Sequence, residues 1–182
     1  MALTATAVSA VREDIKTTLS LKNPFIALNS VDRPNLKIHT QKKRGREFDL
    51  QSIVDRYSEL SRGESAIIYC PTIRETEKVT EALRVKFLAQ QQNLKTQTTV
   101  GTYHASLPHH QRKQTHHAFL TGACKIVCAT TAFGMGIDKP DIRVVVHYGA
   151  PKTMEEYYQQ IGRAGRDGVL SHVVMLYGEN DF

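Results

Sequence analysis

Two arginines three residues apart, Arg163 and Arg166, stand in the string Gly162-Arg163-Ala164-Gly165-Arg166. On a helix, that spacing points both side chains the same way. Each guanidinium is a planar fork that can grip phosphate oxygens through two parallel hydrogen bonds. Gly162 and Gly165 would each cost a helix on the order of 1 kcal/mol against Ala. Such a choice makes sense where a ligand must approach the backbone closely, and a polyphosphate suits the pattern. The competing reading is an arginine pair held by surface carboxylates such as Glu155, Glu156 or Asp167. Spacing alone does not separate the two.

A second element is Phe133-Gly134-Met135-Gly136-Ile137-Asp138. Gly134 and Gly136 follow a predicted strand and permit positive φ and close backbone approach. Asp138 then offers an acceptor, for example to a ribose hydroxyl. A plain turn explains the same residues equally well.

Alternating elements must position these groups. Strand patterns cover 35–39, 66–70 (ended by Pro71), 99–103, 125–130, 142–148 and 171–177. Helical spacing covers 47–60, with Phe48, Ile53, Val54, Tyr57 and Leu60 near one face, and also 73–89, 109–120 and 153–166. Continuous apolar strands separated by helices predict an α/β fold with a mostly parallel central sheet covered on both faces. In such sheets, ligands sit beyond the carboxyl ends of the strands, where the motifs are expected. Residues 1–32 are less regular and read as a connector.

Composition sets the remaining bounds. The 182 residues are 41% hydrophobic, enough for one domain with a substantial core. No apolar run approaches the roughly 18 residues of a membrane span, and the start lacks signal-peptide character, so a soluble intracellular protein without a membrane partner is expected. Cys70, Cys124 and Cys128 form no C-x-x-C pair and read as buried reduced thiols. The net charge of +6 is consistent with a polyanion partner. The run Lys42-Lys43-Arg44-Gly45-Arg46 could be a targeting signal, a phosphate patch or, more often, a solvated loop. His109, His110, His116 and His117 lack a completing ligand set, so no metal is assigned. Tyr157-Tyr158 reads as packing, with base stacking as the alternative.

Read in order, the motifs resemble a known family. ATTAFGMGIDKPDIR followed by QQIGRAGRDG is similar to motifs V and VI of the RecQ branch of superfamily 2 helicases. Ala66–Arg74 resembles motif IV, and Tyr103–Leu107 with Gln111-Arg112 the block between IV and V. Leu3–Ala7, continued by Val11–Ile15, resembles motif III, and Asp32-Arg33-Pro34-Asn35-Leu36 also matches. His147–Lys152 is closest to the Werner-type branch. The resemblance thus runs along nearly the whole chain.

The resemblance implies a RecA-like three-layer domain: residues 1–32 as a motif III remnant and connector, 33–182 as the second motor lobe of an ATP-dependent DNA helicase. ATP and Mg²⁺ would be held mainly by a first, N-terminal lobe, because no G-x-x-x-x-G-K-[ST] or acidic box occurs in this sequence; alone, the chain is expected to be inactive. Arg166 would be the arginine finger and Arg163 a second phosphate contact. Gly134, Gly136, Asp138 and Gln160 would bind nucleotide. Thr72, Arg74, His104 and Thr130 would bind phosphates of single-stranded or forked DNA, independently of sequence and sensitively to salt. Turn-capping accounts equally for Thr72 and Thr130, and solvation for Arg74. No zinc is expected in this chain, and 3′-to-5′ unwinding and a nuclear location in a eukaryote (otherwise cytoplasmic) follow from the family. Two other classes remain: a stand-alone DNA-binding module, and a Rossmann-type enzyme, against which no G-x-G-x-x-G opens a helix after the first strand.

Overall fold

The computed structural model describes residues 2, 7–28, 32–58, 64–90, 99–134, 136–179 and 181. Two units are distinguished, Met1–Pro34 and Asn35–Phe182. The first contains helix α1 (Ser9–Thr18), which buries none of its residues. The connector reading did not anticipate this helix. Leu3–Thr6 of the motif III resemblance lie outside the described residues, as do Leu60 and Met135.

The second unit alternates strands and helices as the apolar runs predict. Its elements are β1 (Leu36–Lys42), α2 (Arg46–Ser58), β2 (Ser65–Tyr69), α3 (Ile73–Gln90), β3 (Val100–Tyr103) and α4 (His109–Leu120). There follow β4 (Ile126–Ala129), β5 (Ile142–Tyr148), α5 (Met154–Ile161) and β6 (Ser171–Tyr177). The six strands form one sheet, in the order β1-β6-β5-β2-β4-β3, with every pairing parallel.

Successive strand residues face opposite sides, and the sheet is buried on both. Ala66, Ile68, Val144, Val146, Val174 and Leu176 join Leu50, Ile53 and Val54 of α2 and Val79, Leu83 and Phe87 of α3 in one core. Ile67, Val127, Val145 and Val173 join Phe119 of α4, Ile161 of α5, and Phe133 and Ile137 of the β4–β5 connection in the other. Continuous β-branched strands are the sequence trace of this two-sided burial.

Two helix readings need correction. In α2 the core-facing row is Leu50, Ile53, Val54 and Tyr57. Phe48 is 50% exposed, with the Arg44 guanidinium 5.1 Å from its ring centroid. At 100° per residue, Phe48 lies some 140° around the helix from Ile53, so it cannot share that face. The helix expected over 153–166 stops at Ile161, and residues 162–168 are a turn in which Gly165 and Gly168 take positive φ. Arg163 and Arg166 therefore stand in a loop, where helical spacing does not orient them.

All three cysteines are free and buried. Burial pushes the Cys128 thiol up to about 12, so it stays a protonated packing group.

Candidate functional site

The arginine-bearing turn is fastened to the amino-terminal ends of β5 and β6, not to the carboxyl ends where the sequence reading expects the motifs. Gly165 donates from its backbone N–H to the Ile142 carbonyl at 2.9 Å. Its φ is +55°, and a Cβ there would stand 2.5 Å from Asn35 Nδ2, 2.7 Å from Ser171 Oγ and 2.8 Å from the Val169 carbonyl. Only glycine fits, for packing and backbone conformation together. A second anchor is Arg143, 6% exposed. It donates through both terminal nitrogens to the Asp167 carboxylate, and also to the Pro140 carbonyl (3.1 Å) and Glu64 (3.2 Å). Burial works to lower the Arg143 pKa, but the two carboxylates together raise it above the ordinary guanidinium value. Chiefly through the hydrogen bond from Arg143, Asp167 lies below the usual carboxylate range.

From this turn the arginines reach the β4–β5 connection. Arg163, half-buried, donates to the Ile137 carbonyl at 3.3 Å, and its Nη2 would be 3.6 Å from a Cβ on Gly134. Burial first, and then the charge of Arg166, lower the Arg163 pKa. Arg166 Nη1 lies 2.7 Å from Asp138 Oδ1, and the Asp138 side chain is 89% exposed. Arg163, Arg166, Gly134 and Asp138 are thus brought together, with Gly136 in the same connection at φ +76°. The carboxylates named from sequence are not the partners: Asp167 serves Arg143, while Glu156 accepts from Lys152 N and Gln160 Nε2. Among the described residues no carboxylate pairs with Arg163.

The connection is held from beneath. Tyr69 donates its hydroxyl to the Phe133 carbonyl at 3.0 Å. The Phe133 ring meets Tyr103, Phe119 and His116 at centroid distances of 4.7, 5.6 and 6.3 Å.

Gln160 lies elsewhere. It is buried in α5, with Oε1 2.8 Å from His147 Nε2 and Nε2 donating to Glu156 Oε1 at 3.0 Å. Since its amide nitrogen is spent on Glu156, its oxygen accepts from His147, which sets the His147 tautomer. This chain lines a cleft of about 40 Å³ with Pro71, Thr131 and Gly149, beyond the carboxyl ends of β2 and β5. Tyr157 packs on His147, ring centroids 4.9 Å apart, and with Tyr158 lies against the second core.

Burial lowers the His147 pKa to about 4, partly offset by Gln160. The unfolded chain therefore takes up this proton near the ordinary value of about 6.5, whereas the folded chain resists until about 4. Stability is lost as pH falls through that window and is unaffected by this group above it. The loss amounts to about 3 kcal/mol at 1.36 kcal/mol per unit. Chemical denaturation at pH 7 and pH 4.5 is expected to show a larger loss in the wild type than in His147→Asn. Equal losses would refute this assignment.

The four proposed nucleic-acid contacts follow β2, β3 and β4, which are neighbours in the sheet. Thr72 caps α3: its Oγ1 accepts from Glu75 N at 3.1 Å and its carbonyl from Thr76 N at 3.0 Å. Arg74 is exposed on the first turn of α3. Thr130 is half-buried and braced by Thr130 N donating to the Tyr103 carbonyl at 3.2 Å. His104 departs from expectation. Its ring is 3% exposed, with Nε2 3.6 Å from Glu77 Oε1. With the whole residue buried beside Glu77 of α3, neither its ring nor its backbone is open to a phosphate.

The basic run is largely engaged. Lys42 pairs with Glu179 at 2.6 Å, Lys43 with Asp181 at 3.7 Å and Arg46 with Glu75 at 3.1 Å. It is neither a bare loop nor an uncommitted phosphate patch. Among the described residues, no group of three or more His, Cys, Asp or Glu could hold a metal ion. No helix there is long and apolar enough to cross a membrane.

Three comparisons bear on this geometry. Residues 49–168 match the family described as helicase conserved C-terminal domain. The chain belongs to that family. The curated relatives that it matches include helicases of the RecQ group. It is 46% identical over its whole length to the bifunctional 3′-5′ exonuclease/ATP-dependent helicase WRN of Mus musculus, covering 12% of that protein. It is 39% identical over its whole length to the ATP-dependent DNA helicase RecQ of Pasteurella multocida, covering 27%. A putative ATP-dependent RNA helicase of Acanthamoeba polyphaga mimivirus is 44% identical over the whole chain, of which 31% is covered. The chain thus spans less than a third of these relatives. Among solved structures, Mycobacterium smegmatis helicase Lhr bound to ssDNA and AMP-PNP superposes with a TM-score of 0.63 over 78% of this chain and 19% of Lhr, at 20% identity. That likeness shows the RecA-like fold of this helicase C-terminal domain.

Proposed function

We propose that this helicase C-terminal domain is the second motor lobe of a RecQ-type, ATP-driven DNA helicase. In this reading Arg166 reaches the γ-phosphate of ATP held by a first lobe, and Arg163 is a second phosphate contact. The observation that carries it is the arginine turn itself. Two guanidiniums are held on one pinned loop, Arg163 on the Ile137 carbonyl and Arg166 on a carboxylate that is itself exposed. A polyphosphate accepts both forks. ATP hydrolysis transfers the γ-phosphoryl group to water, and charge on its oxygens is what the arginines stabilise. Mg²⁺ would supply charge neutralisation at the β- and γ-phosphates, and its ligands would come from the first lobe, since among the described residues no group of three or more His, Cys, Asp or Glu could hold it. Asp138, released from Arg166, would be available to the ribose, and Gly134 leaves room beside Arg163.

The nucleic acid would cross the carboxyl ends of β2, β4 and β3, meeting Thr72, Arg74 and Thr130. The similar Lhr helicase, bound to ssDNA, supports a single-stranded track, and the RecQ relative, an ATP-dependent DNA helicase, supports DNA. Gln160 stands nearer this edge than the arginines, between Pro71 and Glu156, and would sense the strand rather than the nucleotide. Movement would run 3′-to-5′, in the nucleus of a eukaryote.

The test is direct. The chain alone is expected to hydrolyse no ATP with or without single-stranded DNA. Joined covalently to a first lobe carrying the phosphate-binding loop, it is expected to show DNA-stimulated turnover. Turnover by the chain alone would overturn the division of labour. DNA binding by the chain alone, with no gain from the added lobe, would favour a stand-alone binding module.

A further inference from the structure

We infer that Asn35 is a positioning residue for Arg166, holding the peptide that carries it in one orientation. The inference rests on the reading that Arg166 acts on phosphate. Asn35 stands immediately before β1. Its side-chain amide donates to the Gly165 carbonyl at 2.9 Å and to the Val169 carbonyl at 3.1 Å. Its own carbonyl accepts from Ser171 N at 2.8 Å, one residue before the β1–β6 ladder begins at Leu36 and Ser171. Both amide protons are thus spent on the turn, on carbonyls that bracket residues 166–168.

The Gly165 carbonyl belongs to the same rigid plane as the Arg166 N–H. Gly165 is constrained little by its own chemistry, because glycine populates positive and negative φ alike. Something outside the turn must therefore fix the planes on either side of it. The plane before Gly165 is fixed by its N–H on the Ile142 carbonyl. The plane after it is fixed by Gly168 N, donating from within the turn at 3.0 Å, and by Asn35 from outside. Arg143 grips the turn further on, through Asp167. Asn35 thus holds, from outside the turn, the peptide plane that leads into Arg166. Without it the Gly165 carbonyl keeps the bond from Gly168 N but loses its tie to Asn35, and a displacement of about 1 Å at a reacting group can cost on the order of 10²-fold in rate.

The experiment uses the full-length helicase with Asn35→Asp, which keeps the shape and removes both donations, beside Arg166→Ala. DNA-stimulated ATPase is measured for kcat and KM. Binding is measured for AMP-PNP, a ground-state analogue, and for ADP with aluminium fluoride, a mimic of the transferring phosphoryl group. Asn35→Asp is expected to lower kcat about 10- to 100-fold, leave KM within about threefold, and weaken only the aluminium fluoride complex. Asn35→Ala, which puts no charge against the carbonyls, gives the same readout if the aspartate variant is poorly folded. Equal weakening of both ligands assigns Asn35 to stability alone and overturns the inference, as does unchanged kcat where Arg166→Ala abolishes turnover. Unchanged turnover in Arg166→Ala itself overturns the underlying reading instead.

Discussion

Replacing Arg166 with alanine in the protein that carries both lobes is expected to cut DNA-stimulated ATP turnover roughly 10³- to 10⁵-fold, the range for loss of an arginine finger. Stability should barely change. The ion pair that Arg166 makes joins it to a carboxylate 89% exposed, and exposed pairs contribute about 0–1 kcal/mol. The same weakness makes Arg166 available: solvent screens Asp138, so exchanging it for a phosphate costs little. Arg166→Lys should recover only a small part of the rate, because an ammonium keeps the charge but lacks the two-pronged fork. Single-turnover ATPase with saturating DNA checks both variants, and a loss below about tenfold would sink the finger assignment. Intact thermal unfolding in the same samples separates lost chemistry from lost fold.

The largest stability effect is expected from Phe133→Ala. Phe133 is 1% exposed and surrounded by the rings of Tyr103, Phe119 and His116. Emptying a buried aromatic site costs about 3–5 kcal/mol. A domain near 150 residues shifts by about 2–4 °C per kcal/mol, so its midpoint should fall by about 10 °C. Phe48→Ala is the internal comparison: with half its surface already in water, it should cost about 1 kcal/mol or less. Thermal unfolding of both variants decides, and similar midpoints would contradict the two-core description. Phe133 also carries the carbonyl that accepts from Tyr69. The Gly134–Asp138 connection should therefore loosen before the whole unit unfolds.

The strands were legible because parallel sheets bury both faces, and runs such as Val144-Val145-Val146 leave few other readings. The end of α5 was less so. Up to Ile161 helical spacing and the turn look alike in sequence, and only Gly165, packed against Asn35 and Ser171, breaks the pattern. Phe48 misled because one hydrophobic residue off the helical row resembles those on it. His104 looked available because nothing local reveals that α3 covers it. Asn35 lies within the Asp32–Leu36 string and Arg143 at the end of the motif V string, and nothing local marks either as an anchor of the arginine turn. Their partners are 130 and 24 residues away.

The amino-acid sequence by itself determined the chemistry and the family: guanidiniums, glycines and a carboxylate in ordered motifs, with no phosphate-binding loop beside them. Those are properties of residue type and spacing, which survive without coordinates. Tertiary structure alone decided how the groups are used. It turned Arg163 and Arg166 out of a helix into a pinned loop, gave Arg166 to Asp138 and Asp167 to Arg143, and tied the Gln160 side chain to His147 and Glu156. Each of these depends on contacts between distant segments, where packing volume and hydrogen-bond geometry choose among partners that local spacing treats as equivalent.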